Sequence, residues 1–230
     1  MRDHPRSVMI FAAGFGKRMG ALTKKRPKPL IEVGGKALID HALDLVAAVA
    51  PERIVVNAHY KADLLANHLA GRDVLLSVEE PNILETGGGL RHALPLLGEG
   101  PAYTMNTDMV WRGPNPLTLL SRHWAPERMD ALLLCIPPAQ AQGHDGGGDF
   151  LIDSDGRASR GAGLIYSGVQ IIRTDLLNEI EEDAFSLNLL WDRMLTRRTL
   201  HAIAYPGAWC DVGQPAGIAK AERLLEDVDV

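Results

Sequence analysis

The sequence predicts an α/β fold whose sheet is parallel in its first half and carries antiparallel strands in its second. Three observations lead there. Up to about residue 110, apolar runs of strand length alternate with stretches whose apolar residues recur at helical spacing, the pattern of successive βαβ units. The first apolar run, 8–13, breaks at Gly14 and Gly16 and leads into six cationic side chains between Lys17 and Lys28. From Pro137 onward, short apolar runs are separated by polar, glycine-rich turns, which suits antiparallel pairing.

Each element has a local reason. Residues 37–49 place Leu38, Ala42, Leu45, Val46 and Val49 on one helical face, and Pro51 ends that helix. Residues 53–58 and 74–78 read as strands and 62–69 as the helix between them. Leu84-Glu-Thr-Gly-Gly-Gly-Leu90 leads a helical run to Leu97, with Thr86 as a candidate cap, and residues 102–106 form a strand that delivers Thr107 and Asp108. Ligands of open α/β sheets gather at the carboxyl ends of strands, where Asp108 stands. Pro116 opens a helix, 131–136 is a buried strand, and 150–152 and 164–172 are strands on either side of the Asp153-Ser-Asp-Gly156 turn. Helices are expected at 175–180, 187–195 and 214–225, a strand at 201–205, and a loop at 209–213.

Composition narrows the class. With 230 residues, 46% hydrophobic and 23% charged, the chain can bury a substantial core, and one domain over 1–230 is expected. Lys and Arg number 24 against 29 Asp and Glu, a net charge of -5, so a nucleic-acid surface is disfavoured and the basic loop suits a small anion. The two cysteines, Cys135 and Cys210, form no C-x-x-C pair, no apolar run is long enough to span a membrane, and no leader segment is evident; a cytoplasmic protein with free thiols is expected. The eight histidines lack zinc-ligand spacing, and Ser167 lies in no G-x-S-x-G elbow.

The basic loop is longer than a turn requires. Glycine lets backbone amides approach an anion, and Lys and Arg neutralise it, although a Gly-x-Gly after a strand also serves turn geometry alone. The dinucleotide fingerprint fails because the glycines fall at 14, 16 and 20, and a Walker A loop fails because no Gly-Lys-Ser/Thr occurs. The stretch Phe11-Ala-Ala-Gly-Phe-Gly-Lys-Arg-Met-Gly-Ala-Leu-Thr23 with Pro27-Lys-Pro-Leu30 resembles the opening signature of the sugar-1-phosphate nucleotidyltransferases, L-A-A-G-x-G-x-R-M-x-P-L-T-x-x-x-P-K-P-L, departing at Ala21 where that family usually has proline. Within the family it is most similar to the short N-acetylmuramate-1-phosphate uridylyltransferases. The resemblance implies a three-layer α/β/α, Rossmann-like sandwich with a mixed, mostly parallel sheet, its nucleotide half about 1–110 and its sugar half about 111–230. It also implies UTP and N-acetylmuramate 1-phosphate as substrates, Mg²⁺ as cofactor, a part in cell-wall sugar recycling, and a monomer or homodimer.

Residue by residue, the resemblance assigns Arg18 to the β- and γ-phosphates and Lys28, held between Pro27 and Pro29, to the phosphate at the reacting centre; each could instead be a solvated charge. Ala12, Ala13, Gly14, Gly16 and Lys17 would line the nucleotide, with Gly88 and Glu80 near the base. Asp108, in Asn106-Thr-Asp108, and Asp211, in Trp209-Cys-Asp-Val-Gly213, match the two aspartates that hold Mg²⁺ in the family, though that family more often has glycine before the first. Asn106, Asp149, Ser167 and Gly168 resemble sugar-binding positions; the Gly-Asp-Phe150 run would otherwise be a hairpin turn. No E-K-P motif is present, which argues against a glucose-1-phosphate thymidylyltransferase. The rivals are a guanylyl- or cytidylyltransferase for mannose, heptose or choline phosphate, and a nucleotide-sensing module without turnover.

Overall fold

In the computed structural model, which describes residues 4–226, seven strands form one sheet in the order β13-β8-β12-β6-β1-β4-β5. They are β1 (Ser7–Phe11), β4 (Arg53–Ala58), β5 (Leu75–Val78), β6 (Ala102–Asn106), β8 (Ala131–Ile136), β12 (Ile165–Ile172) and β13 (Leu200–Ala204). Strands β5, β4, β1 and β6 pair in parallel, as the βαβ alternation requires. In the second half only β12 opposes its neighbours; β8 and β13 are parallel to each other. The reversed strands expected there are therefore confined, within this sheet, to one.

Successive strand residues point to opposite faces, so each buried strand feeds two cores. Val8 and Ile10 of β1, with Leu132, Leu134 and Ile136 of β8, pack with α1 (Leu38–Ala47), α2 (Ala62–Leu69) and α5 (Pro116–His123). Met9 and, from β8, Leu133 and Cys135 pack on the other face with α3 (Glu85–His92), α4 (Leu94–Leu97) and α6 (Leu187–Arg197). The result is the three-layer arrangement. Several boundaries match the periodicity: β4, α2, β6 and β8 span 53–58, 62–69, 102–106 and 131–136. The segment expected as a helix at 175–180 is a single 3-10 stretch, Asp175–Glu179.

Smaller pieces surround the main sheet. A hairpin of β2 (Glu32–Val33) and β3 (Lys36–Ala37) precedes α1. Three short strands, β7 (Met109–Arg112), β9 (Ala141–Gln142) and β14 (Ala208–Asp211), form a separate sheet in the order β7-β14-β9. This corrects the expected loop at 209–213, most of which is strand. A third apolar cluster, with Met19, Val110, Cys210 and Val212, fixes this sheet under α7 (Pro215–Glu226). Strands β10 (Phe150–Ile152) and β11 (Ala158–Arg160) form the last hairpin, across the expected 153–156 turn.

Candidate functional site

The cleft opens at the carboxyl ends of the two central strands. Phe11 closes β1 directly beside Asn106, which closes β6, so the chain segments after them face one another. After Phe11 the backbone turns at Gly16, φ 62°, where a Cβ would come within 2.9 Å of both Lys28 Cβ and Thr23 Cγ2. Only glycine allows the loop to close on Lys28 there. Thr23 Oγ1 donates to the Gly16 carbonyl at 3.2 Å, and the following 3-10 turn, Lys17–Thr23, presents Lys17 and Arg18 while burying Met19.

The register of the small sheet explains how two aspartates so far apart in sequence meet. Strand β7 begins immediately after Asp108, β14 ends at Asp211, and the antiparallel pairing sets Asp211 opposite Met109. The Val212 N–H then donates to the Asp108 carbonyl at 2.8 Å. Lys28 Nζ lies 2.5 Å from Asp108 Oδ2, with the lysine side chain 12% exposed. Asp211 is buried, its Oδ1 has no hydrogen-bond partner among the described residues, and His144 Nδ1 lies 3.8 Å from its Oδ2. A Cβ at Gly213 would meet Asp211 Oδ1 at 2.8 Å and both terminal nitrogens of Arg18 at 3.1 Å, which locates the guanidinium beside this carboxylate. Burial raises the Asp211 pKa above the ordinary 3.8, the charge of Asp108 adds to the rise, and Lys28, Arg18 and His144 oppose it.

Arg18, Lys28, Asp108, Asn106 and the loop from Ala12 to Lys17 all line one cleft of about 510 Å³. The Ala12 amide is already used, donating to Asn57 Oδ1 at 2.6 Å. A side cavity of about 280 Å³ shares Phe11, Thr86 and Asn106 with the cleft and holds Asp149, Tyr166 and Trp191. Asp149 Oδ2 accepts from the Tyr166 N–H at 2.8 Å. Ser167 is fully buried and accepts from the Val169 N–H at 3.3 Å, so its hydroxyl faces neither cavity. Gly168, φ 86°, sits at the β12 bulge, where a Cβ would come 2.9 Å from Asn106 Nδ2. Gly168 thus lies directly against the Asn106 side chain.

Two expected base contacts fall elsewhere. Ser77 and Glu79 point inward and Val78 and Glu80 outward, as strand alternation dictates, so Glu79 lines the cleft and Glu80 does not. Gly88 lies inside α3, where its N–H donates to the Phe185 carbonyl at 3.1 Å; it and Glu80 border a separate depression with Asp183 and Ala184. Thr86 does not cap α3 either: Leu84 holds the N-cap position, and Thr86 Oγ1 accepts from the Leu187 N–H at 3.0 Å. Sequence reasoning missed Asn57, Glu79, Glu85, Gly213 and His144. Asn57 was findable as a polar residue near the end of a buried strand, and Glu79 by the period of two along β5; His144 carried no signal.

Residues 8–227 match the MobA-like NTP transferase domain. An N-acetylmuramate alpha-1-phosphate uridylyltransferase of Caulobacter vibrioides is 39% identical over 241 residues, covering 98% of this chain and 100% of that protein. A protein of the same description from Neisseria meningitidis serogroup B is 32% identical, over 94% of this chain and 97% of its own length. The solved structure of HddC from Yersinia pseudotuberculosis complexed with GMP-PN shares the fold, with a TM-score of 0.77 at 21% identity over 96% of this chain and 99% of that one. The chain belongs to the MobA-like NTP transferase domain family, and with it to the nucleotidyltransferases.

Proposed function

We propose that this protein transfers a uridylyl group from UTP to N-acetylmuramate 1-phosphate, releasing pyrophosphate, as a step in reuse of cell-wall sugars. The observation that carries the reading is the meeting of Arg18, Lys28 and Asp108, which line the cleft, with Asp211 beside them. A phosphate oxygen of the sugar phosphate attacks the α-phosphorus, the bond from that phosphorus to the β-phosphate oxygen breaks, and pyrophosphate leaves. Two anions must approach, so positioning and charge neutralisation supply most of the acceleration. Lys28 faces the reacting phosphate and Arg18 the departing pyrophosphate, a division that the guanidinium's planar fork suits. Asp149, Asn106 and the aromatic floor of the side cavity orient the sugar.

The donor set fits Mg²⁺. That ion takes one or two carboxylates and fills its remaining positions with water and phosphate oxygens, and the buried, unpartnered Oδ1 of Asp211 beside Asp108 offers such a pair. Asp108 and Asp211 would hold it, and it would supply charge neutralisation on the phosphates. Uridine is favoured over guanosine because the relatives at 39% and 32% identity are uridylyltransferases, while a mannose-1-phosphate guanylyltransferase of Arabidopsis thaliana is 24% identical over 64% of its own length. The test is pyrophosphate release from UTP, GTP, CTP and dTTP, each with N-acetylmuramate 1-phosphate or mannose 1-phosphate. Release with UTP and the muramate is expected. Preference for GTP and mannose 1-phosphate would move the assignment to the guanylyltransferases, and binding without release would make the protein a sensor.

A further inference from the structure

Asn57 and Glu79 are buried polar side chains to which the proposed transfer gives no part. One lies near the carboxyl end of β4 and the other immediately after β5, its neighbour in the sheet. A continuous line of three hydrogen bonds runs through them. The Ala12 N–H donates to Asn57 Oδ1 at 2.6 Å, Asn57 Nδ2 donates to Glu79 Oε1 at 2.6 Å, and the Leu84 N–H donates to Glu79 Oε2 at 2.8 Å. Ala12 opens the phosphate loop on one wall of the cleft. Leu84 is the N-cap of α3 and directly precedes Glu85 and Thr86, which line the cleft as well.

We propose that Asn57 and Glu79 form a positioning brace that fixes the separation between the phosphate loop and the loop opening α3, so that a nucleoside triphosphate meets a slot already at its bound width. Preformed geometry spares the bound state the cost of ordering two loops. The line of bonds is directional. It needs an acceptor toward Ala12, one donor and one acceptor between the side chains, and an acceptor toward Leu84. An amide followed by a carboxylate satisfies all three, and so does the reverse order. Two carboxylates set two acceptors 2.6 Å apart, and two amides leave either opposed donors or an unpaired backbone N–H, each costly when buried. Gly89 completes the arrangement: a Cβ there would lie 2.5 Å from Glu79 Oε1 and 3.0 Å from Asn57 Nδ2, so the helix can lie against the pair only through glycine.

The proposal rests on reading the cleft as a nucleotide site, and the experiment separates the two. Asn57→Asp, Glu79→Gln and the double variant are compared with wild type, the double variant being the reverse solution with net charge unchanged. Amide exchange at Ala12 and Leu84 in the free protein needs no substrate. Protection at one or both should fall about tenfold in each single variant and return in the double, as expected for a buried bond worth about 1.4 kcal/mol. The KM for UTP should rise about tenfold in each single variant, with the KM for the sugar phosphate moving less than about twofold, and the double variant should recover most of the loss. Unchanged exchange, a double variant no better than the poorer single, or lowered melting temperatures with an unmoved KM for UTP would each overturn the brace. A wild-type protein inactive with all four nucleotides would overturn the proposed function, and the exchange data would still decide on the brace.

Discussion

At the phosphate end of the cleft, Arg18, Lys28, Asp108, Asp211 and His144 crowd together, with one buried carboxylate oxygen left without a partner among the described residues. In the side cavity, which meets the cleft at Phe11, Thr86 and Asn106, the polar groups are already engaged. Asp149 holds the Tyr166 amide, Trp191 Nε1 donates to Gln170 Oε1 at 3.0 Å, and Arg160 is bonded to Asn188 and Asp192 while lying over the Phe150 ring at 4.9 Å. The phosphate end is charged and incomplete without further cations and anions; the side cavity is a finished surface of fixed shape. Substitutions at the first should therefore appear in kcat, and at the second in KM for one substrate.

The largest effect should come from the aspartates. Asp108→Asn and Asp211→Asn should each lower the rate of pyrophosphate release about a thousandfold and raise the Mg²⁺ requirement, at the upper range for loss of one electrostatic group. If both hold the same ion, the double variant is scarcely worse than the poorer single, because a cooperating unit fails as a whole. Rates measured against Mg²⁺ concentration decide this; multiplied losses would mean two independent roles. Asp211→Asn should also melt no lower than wild type without ligand, since burial and the neighbouring Asp108 disfavour the charge it removes. Next in size, Arg18→Ala should lower kcat about a hundredfold with little change in melting temperature, because Arg18 is exposed on the 3-10 turn. Near wild-type turnover would remove it from the pyrophosphate.

The same division decides what could be read in the sequence. The phosphate loop lies within twenty residues and carries its chemistry in residue types, so Gly14, Gly16, Arg18 and Lys28 were legible as one unit that the structure places together. The buried strands were legible because parallel pairing inside two cores demands continuous apolar runs. What was not legible depends on pairing across the chain. Strand β14 looked like a loop because its partners, β7 and β9, are short and distant in sequence. Glu79 and Glu80 differ only in phase: one position along an extended chain turns a carboxylate from the cleft to the outside, and the spacing of residues does not show which of the two faces in. Asn57 and Glu79 gave no sign of acting together, since the line joining them exists only once β4 and β5 lie side by side.

In the side cavity, Arg160→Ala should raise the KM for the sugar phosphate about tenfold and leave the KM for UTP within about twofold, the scale of one partly exposed charged contact. Saturation curves for each substrate give the comparison. An equal rise for both would mean that the two regions are not separable.

The smallest effect concerns stability in the second half of the sheet, where β13 buries His201, 2% exposed. Burial lowers its pKa below the ordinary 6.5, and the charges of Arg128 and Arg157 add to the depression, while the Thr199 carbonyl, which accepts from Nδ1, and Asp153 oppose it. The fold thus prefers the neutral imidazole, and the unfolded chain binds the proton first as pH falls. The stability tied to this residue is full above about pH 6.5 and is lost as pH drops below it toward the lower folded value. His201→Gln keeps a donor for the Thr199 carbonyl and removes the titration. Between pH 7.5 and 5.5 the wild type should lose on the order of 2 °C more in Tm than this variant, the change that up to about 1 kcal/mol produces in a domain of this size. The slope with pH is the readout, because the substitution also changes the packing and so the absolute Tm. Equal slopes would mean that the imidazole titrates as it does in the unfolded chain, and a steeper slope in His201→Gln would mean that the folded protein holds it charged.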